Sequence, residues 1–245
     1  MIYKSVKKLS RTEEVAILRE VAENGMYIDR GSSRAVFTYG KDKVVKIAAD
    51  NQGCRQNRIE ASFYERHPHA CAEVYAIGSH IIICEKVLID EVEEDLDTMS
   101  RIINLAWNGE DYSDREYTEY LDSEDFAHIG HQFNNGDLDE LLNECGIDVD
   151  ELAGDFGTYI DTLDTATYCL GGTLDNEQIG FSAHRQAYVL YDAGFDCDKC
   201  CDKCGLVGNV EDFLFETDDK VDFIDTVIRM ASRNRMSLYS RKIAC

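Results

Sequence analysis

Gly31-Ser32-Ser33-Arg34-Ala35-Val36-Phe37, then Val44-Val45-Lys46-Ile47-Ala48, then Asn57-Arg58-Ile59-Glu60 are the runs on which the fold turns. The first is a glycine-bearing turn entering a strand, the second a β-rich run holding one lysine, and the third part of a helix holding one acid. In that order they supply what a nucleoside triphosphate requires. A glycine turn lets backbone amides approach phosphates, an ammonium on the third strand reaches the α- and β-phosphates, and a carboxylate on the next helix orients that ammonium. Taken singly, each has an ordinary explanation: a lysine in an apolar strand usually snorkels, and a helical glutamate is usually solvated.

Working outward, Ser10-Arg11-Thr12-Glu13 is a capping box, and Val15, Leu18, Val21 and Ala22 then recur at helical spacing up to Asn24-Gly25. The pattern predicts a helix over about 10–24. Strands are expected at Met26–Asp29, Ala35–Tyr39 and Lys43–Ala48, divided by the glycine turn and by Gly40-Lys41-Asp42. A helix over Arg55–Arg66 is closed by Pro68, the single proline, and strands at Ala72–Ile77 and His80–Cys84 follow. Beyond lie helical patterns at 98–107, 117–132, 138–145 and 156–169, a strand pair at Ile179–Ser182 and 187–191, and an amphipathic helix through Val221, Ile224, Val227, Ile228 and Ala231. The order predicts an α+β protein, with residues 1–88 as a helix plus a five-stranded sheet and residues 89–245 as a mainly helical part.

These runs resemble the protein-kinase-like fold, in particular the small divergent kinase-like proteins of bacteriophages and bacteria. There a loose glycine loop followed by Arg and Val, a Val-Val-Lys strand and an Asn-x-x-Glu helix occur together, as they do here through Asn57 and Glu60. The resemblance implies a two-lobed fold with a β-rich N-lobe, and a site in which Gly31, Ser32, Ser33 and Val36 line the phosphates and base of ATP. It makes Lys46 the ATP lysine, Glu60 its partner, and Glu85-Lys86-Val87 the hinge beside adenine. Tyr191-Asp192-Ala193-Gly194-Phe195 looks like the family's Asp-x-Gly motif, which makes Asp192 a magnesium ligand. The match covers about residues 26–90 and 173–196.

The departures lie where the family places its catalytic loop. Gln178 falls at the position of a magnesium-binding Asn, and Thr173 at that of the catalytic Asp, with Asp175 and Asn176 off the spacing. Either the loop is rearranged, with Asp175 as the base and Gln178 on the metal, or the protein is a pseudokinase.

Cys197-Asp198-Lys199-Cys200 abuts Cys201-Asp202-Lys203-Cys204 where a kinase has its activation segment. Each CxxC suits tetrahedral zinc, although zinc folds usually separate their two pairs by a loop. A zinc site drawing on Cys197, Cys200, Cys201 and Cys204 is therefore expected, ahead of a redox pair, which would need the helix N-terminus that lowers a thiol pKa.

Charge bounds the partners. Of the 245 residues, 48 are acidic and 25 basic, and residues 90–164 hold 24 of those acids against only Arg101 and Arg115. A net charge of −23 argues against a general nucleic-acid or anionic-membrane binder and for a protein partner with a basic surface. Residues 1–10 lack an apolar leader and no run reaches a membrane span, so a cytoplasmic protein with reduced thiols is expected. Three functions follow. The first is a degenerate kinase-like ATP-binding protein, phage-encoded by its resemblance, that binds or inhibits a host protein. The second is an active Ser/Thr protein kinase with a rearranged loop, and the third an acidic mimic of nucleic acid.

Overall fold

The structure is a computed structural model describing residues 5–31, 33–97, 99, 157–159, 161–162, 165, 178–192 and 217–233. Its elements are β1 (Lys7–Lys8), α1 (Arg11–Asn24), β2 (Tyr27–Arg30), β3 (Arg34–Tyr39), β4 (Lys43–Ala48), α2 (Asn51–Arg66), β5 (Val74–Ile77) and β6 (Ile81–Glu85). β7 (Ile179–Ser182), β8 (Ala187–Leu190) and α3 (Thr217–Arg233) complete them. The architecture is α+β in two compact units, the first gathering β1–β6 with α1, α2 and α3, the second gathering residues 66–72 and 87–195, the β7–β8 hairpin among them.

The first unit carries the β-β-β-α-β-β order anticipated from sequence, as a six-stranded sheet in the order β1-β5-β6-β4-β3-β2. All neighbours are antiparallel except β1 with β5. The sixth strand is the difference from the five expected. β1 is two exposed lysines, too short to show a period, and its register is fixed by pairing with Ala76 and Ile77 and by Leu9 N–H donating to the Ile77 carbonyl at 2.8 Å. β3 and β4 join through Gly40, whose φ of 70° is the left-handed conformation glycine takes without a Cβ penalty.

Strand alternation splits this sheet into two faces. Ala35, Phe37, Val45, Ile47, Ala76, Ile81 and Ile83 form one face and pack with Leu18 and Val21 of α1 and Phe223, Ile224 and Val227 of α3. α1 begins as predicted, with Ser10 and Glu13 in a reciprocal capping box. α3 falls in the first unit, where its apolar stripe completes the core that α1 covers only in part. Lys220 Nζ also donates to the Gly25 carbonyl at 2.9 Å.

The other face carries α2, whose buried stripe is Cys54, Asn57, Glu60, Ala61 and Tyr64. This helix starts four residues before the predicted Arg55. Asp50 caps it, accepting from Gly53 N–H at 2.7 Å through its carboxylate and from Cys54 N–H at 3.1 Å through its carbonyl. Gly53 is required there: a Cβ would fall on the Ser33 carbonyl oxygen and within 3.0 Å of Ala48.

In the second unit β7 and β8 form an antiparallel hairpin, with Ile179 opposite Leu190 and Ser182 opposite Ala187. Leu190 exchanges backbone bonds of 2.9 Å with Ala70 and Ala72, and Phe181 exchanges bonds of 2.9 Å with Leu88. Two threonines of a helical segment close the outer side: Thr162 Oγ1 donates to the Tyr188 carbonyl at 2.9 Å, and Thr158 Oγ1 accepts from Tyr188 N–H at 3.1 Å. Among the described residues no helix is long and apolar enough to cross a membrane.

Candidate functional site

On the α2 face of the first unit, Val36 lies opposite Lys46 and Arg34 opposite Ala48, so Arg34, Val36 and Lys46 share one side of the β3–β4 pair. Glu60 faces them from α2. Its Oε1 accepts from Lys46 Nζ at 2.7 Å and its Oε2 from Arg34 Nη1 at 2.6 Å. All three side chains are no more than 5% exposed. The same Arg34 nitrogen donates to Asn57 Oδ1 at 3.3 Å, and Asn57 Nδ2 donates to the His80 carbonyl at 3.3 Å. Such charge-assisted bonds in a dry setting hold geometry tightly, because a buried charge that loses its partner is costly.

Cys84, on the neighbouring β6, places its Sγ 3.6 Å from Glu60 Oε1. Burial, and then the Glu60 carboxylate, push its thiol well above the usual range, so it stays a neutral donor. Burial likewise pushes Cys54 up to about 12.

The glycine turn is fastened beneath this cluster. Ser33 is buried; its carbonyl accepts from Ala49 N–H at 2.9 Å and its Oγ donates to Asp50 Oδ2 at 3.2 Å. Gly31 N–H donates to the Arg34 carbonyl at 2.9 Å, and a Cβ on Gly31 would stand in open space. Ser32 lies outside the described residues. Lys46 and Glu60 are thus brought together as expected, and Val36 sits half-buried on their face. Arg34 and Asn57 complete the cluster. The hairpin register carries the signal for Arg34: Lys43 opposite Tyr39 places residues 34, 36 and 46 on one side.

Of the expected hinge, Glu85 is buried, and its Oε2 accepts from Glu73 N–H at 3.1 Å. Its own N–H donates to the Glu73 carbonyl at 2.8 Å, so this side chain closes the β5–β6 pair. Val87 belongs to the second unit, where it packs with Ala72, Val189 and Tyr191.

Also in the second unit, Gln178 and Asp192 bracket the open end of the β7–β8 hairpin. Tyr191 N–H donates to the Gln178 carbonyl at 2.7 Å, which extends the ladder one pair beyond Ile179–Leu190 and leaves Asp192 as the next residue. The side-chain Oε1 of Gln178 is buried and makes no hydrogen bond among the described residues. An orphaned amide oxygen beside the strand end that carries a carboxylate fits a hard, oxygen-preferring cation such as magnesium. Asp175 and the four cysteines at 197, 200, 201 and 204 lie outside the described residues, and among the described residues no cluster of three or more His, Cys, Asp or Glu is placed to hold a metal.

No family model matches the sequence, and no curated protein matches it. Among solved structures the chain is similar to the ADP-bound aminoglycoside phosphotransferase APH(2'')-Ib, at 12% identity over 90% of this chain and 82% of that one, with a TM-score of 0.32. It is also similar to APH(2'')-IIa in a streptomycin–ATP ternary complex, at 13% identity over 86% and 80% of the two chains, with a TM-score of 0.29.

Proposed function

We propose that the protein is a kinase-like nucleotide-binding protein in which Lys46, held by Glu60, meets the phosphates of ATP. One observation carries this reading: a lysine on the third strand of the β-β-β-α-β-β unit is ion-paired at 2.7 Å to a glutamate on the next helix, both out of water. A fixed ammonium of this kind suits a polyanion, since its position is set before the ligand arrives. Val36 of β3 lies opposite Lys46, and Ser33 lies in the glycine turn that leads into that strand. Asp192 would take magnesium, with the Gln178 amide oxygen as a second, neutral ligand.

Within this reading the protein is degenerate for phosphotransfer. Thr173 stands where the resemblance requires a base, and Gln178 where it requires Asn. Activity would then pass through a protein partner with a basic surface, engaged by the acids of residues 90–164. An active kinase with Asp175 as base is the competing reading, and it predicts label transfer from ATP that Asp192→Asn abolishes.

Thermal unfolding with and without magnesium and ATP, beside Lys46→Ala, tests the nucleotide site. A ligand at 100 times its Kd stabilises by about 2.7 kcal/mol. For a chain of this size that is a shift of roughly 5–11 °C. The shift should vanish in Lys46→Ala; an unchanged melting temperature in the wild type at millimolar ATP would end the proposal.

A further inference from the structure

Glu60 has a partner at each oxygen, and they differ in kind. Lys46 takes Oε1 from β4, while Arg34, one strand over and directly after the glycine turn, takes Oε2 at 2.6 Å and Asn57 Oδ1 at 3.3 Å through a single nitrogen. A carboxylate held at one oxygen still turns about its terminal torsion, which is broad. Held at both, it has one orientation, and the Lys46 ammonium takes its place from that orientation. Asn57 fixes the guanidinium in turn and is itself tied to the His80 carbonyl, which also accepts from Ala48 N–H at 2.8 Å. The chain of bonds therefore runs from the β4 end through α2 and back to β4. A guanidinium keeps its charge at every accessible pH, so it suits a permanent clamp.

We propose that Arg34 is a positioning residue: it locks the Glu60 carboxylate, and through it the Lys46 ammonium, in place whether or not a ligand is bound. This inference rests on the nucleotide-binding reading for its consequence, weaker nucleotide binding, but the clamp itself does not depend on that reading.

Two measurements separate them. The first is the affinity of Mg2+ with a fluorescent N-methylanthraniloyl ATP for wild type, Arg34→Gln, Arg34→Lys and Lys46→Ala. Loss of the clamp should weaken binding about tenfold, the scale of one charge-assisted hydrogen bond. Arg34→Lys should return it to within about threefold, because the Arg34 bonds to Glu60 and Asn57 leave from one nitrogen that an ammonium can replace. Arg34→Gln should add nothing in a Lys46→Ala background. The second needs no nucleotide: the 15Nζ ammonium resonance of Lys46, identified by its disappearance in Lys46→Met. It should be sharp in the wild type, broadened in Arg34→Gln and restored in Arg34→Lys.

If the wild type binds no nucleotide but the ammonium signal follows Arg34, the nucleotide reading fails and the clamp stands. If folded Arg34→Gln leaves that signal unchanged, the clamp is overturned whatever the nucleotide does. Arg34→Met, apolar and of similar length, serves if Arg34→Gln does not fold. The Arg34 guanidinium resonance in Lys46→Met gives the reciprocal reading in a protein with Arg34 intact: a shift supports the coupling, and an unmoved signal overturns it.

Discussion

Replacing Glu60 by leucine should be among the most damaging single changes in the first unit. The substitution nearly conserves volume, so the cost comes from charge rather than from a cavity. It takes the 2.7 Å and 2.6 Å partner from two cations that are each only 5% exposed. Breaking a buried pair by removing one member costs about 3–5 kcal/mol, because the remaining charge stays desolvated. A domain has only about 5–15 kcal/mol in total. For a chain of this length the melting temperature should therefore fall by on the order of 10 °C. The assay is urea unfolding with linear extrapolation, repeated for the triple variant Arg34→Met, Lys46→Met, Glu60→Leu. The triple variant removes all three charges, and apolar replacement of a buried ionic group is often neutral or stabilising, so most of the loss should return. A loss below about 1 kcal/mol in Glu60→Leu, the range of exposed pairs, would show that water reaches the cluster. A triple variant as damaged as the single one would refute the assignment of the cost to stranded charge.

Gly53→Ala should destabilise by about 1–3 kcal/mol, since the new Cβ meets the Ser33 carbonyl and Ala48 backbone rather than a yielding side chain; a thermal melt equal to wild type would refute the close approach. Phe223→Ala, at a fully buried position of α3 in the sheet core, should cost about 3–5 kcal/mol in urea unfolding; a loss under about 1 kcal/mol would mean that α3 does not pack there. For acid stability, burial acts to raise the Glu14 carboxyl, but the His80 imidazole 3.6 Å away and the backbone N–H groups of His80, at 2.6 Å, and Ser79 outweigh it and hold it below its ordinary value. A depressed folded pKa gives stability that is present above the unfolded value and lost as pH falls through the folded one. Urea midpoints from pH 7 down to pH 3 should thus fall less steeply in Glu14→Gln than in wild type, and parallel curves would count against the Glu14–His80 contact.

The local signals in the first unit were legible because they are strong at short range. The Ser10–Glu13 box gave the start of α1, and the β4 run was bounded by a glycine turn on one side and two alanines on the other. The pairing of Lys46 with Glu60 was legible in the element order together with the kinase-like resemblance. Three things were harder to see, each for a physical reason. The start of α2 is hidden by Gly53, a poor helix former that is present because Ser33 lies against it. β1 takes its identity from a partner nearly seventy positions away, so no pattern within two lysines announces it. The membership of α3 is a tertiary fact: its stripe of Phe223, Ile224 and Val227 reads as amphipathic, but which apolar face it covers depends on what α1 leaves open. Arg34 is hidden in the sequence because an arginine beside a glycine turn reads as solvated until the register places it on the side of Lys46.

One strand therefore serves two layers. Val45 and Ile47 of β4 point into the apolar core under α1 and α3, while Lys46 between them points into the polar cluster under α2. A sheet covered by helices on both faces gains hydrophobic stabilisation from each, and here one face gives part of that up to bury three charges and an amide. The core on the opposite face offsets the cost, and it also fixes where the cluster sits, because Lys46 cannot shift along β4 without moving both of its fully buried neighbours. The same holds across the sheet: Arg34 is flanked by Ala35, and Cys84 by Ile83, each a member of the α1–α3 core. The position of the ammonium is therefore set by packing on the far side of the sheet as much as by its own ion pair. On the proposed nucleotide-binding reading, this packing prepares the ammonium before the ligand comes, so that its ordering is not a cost of binding.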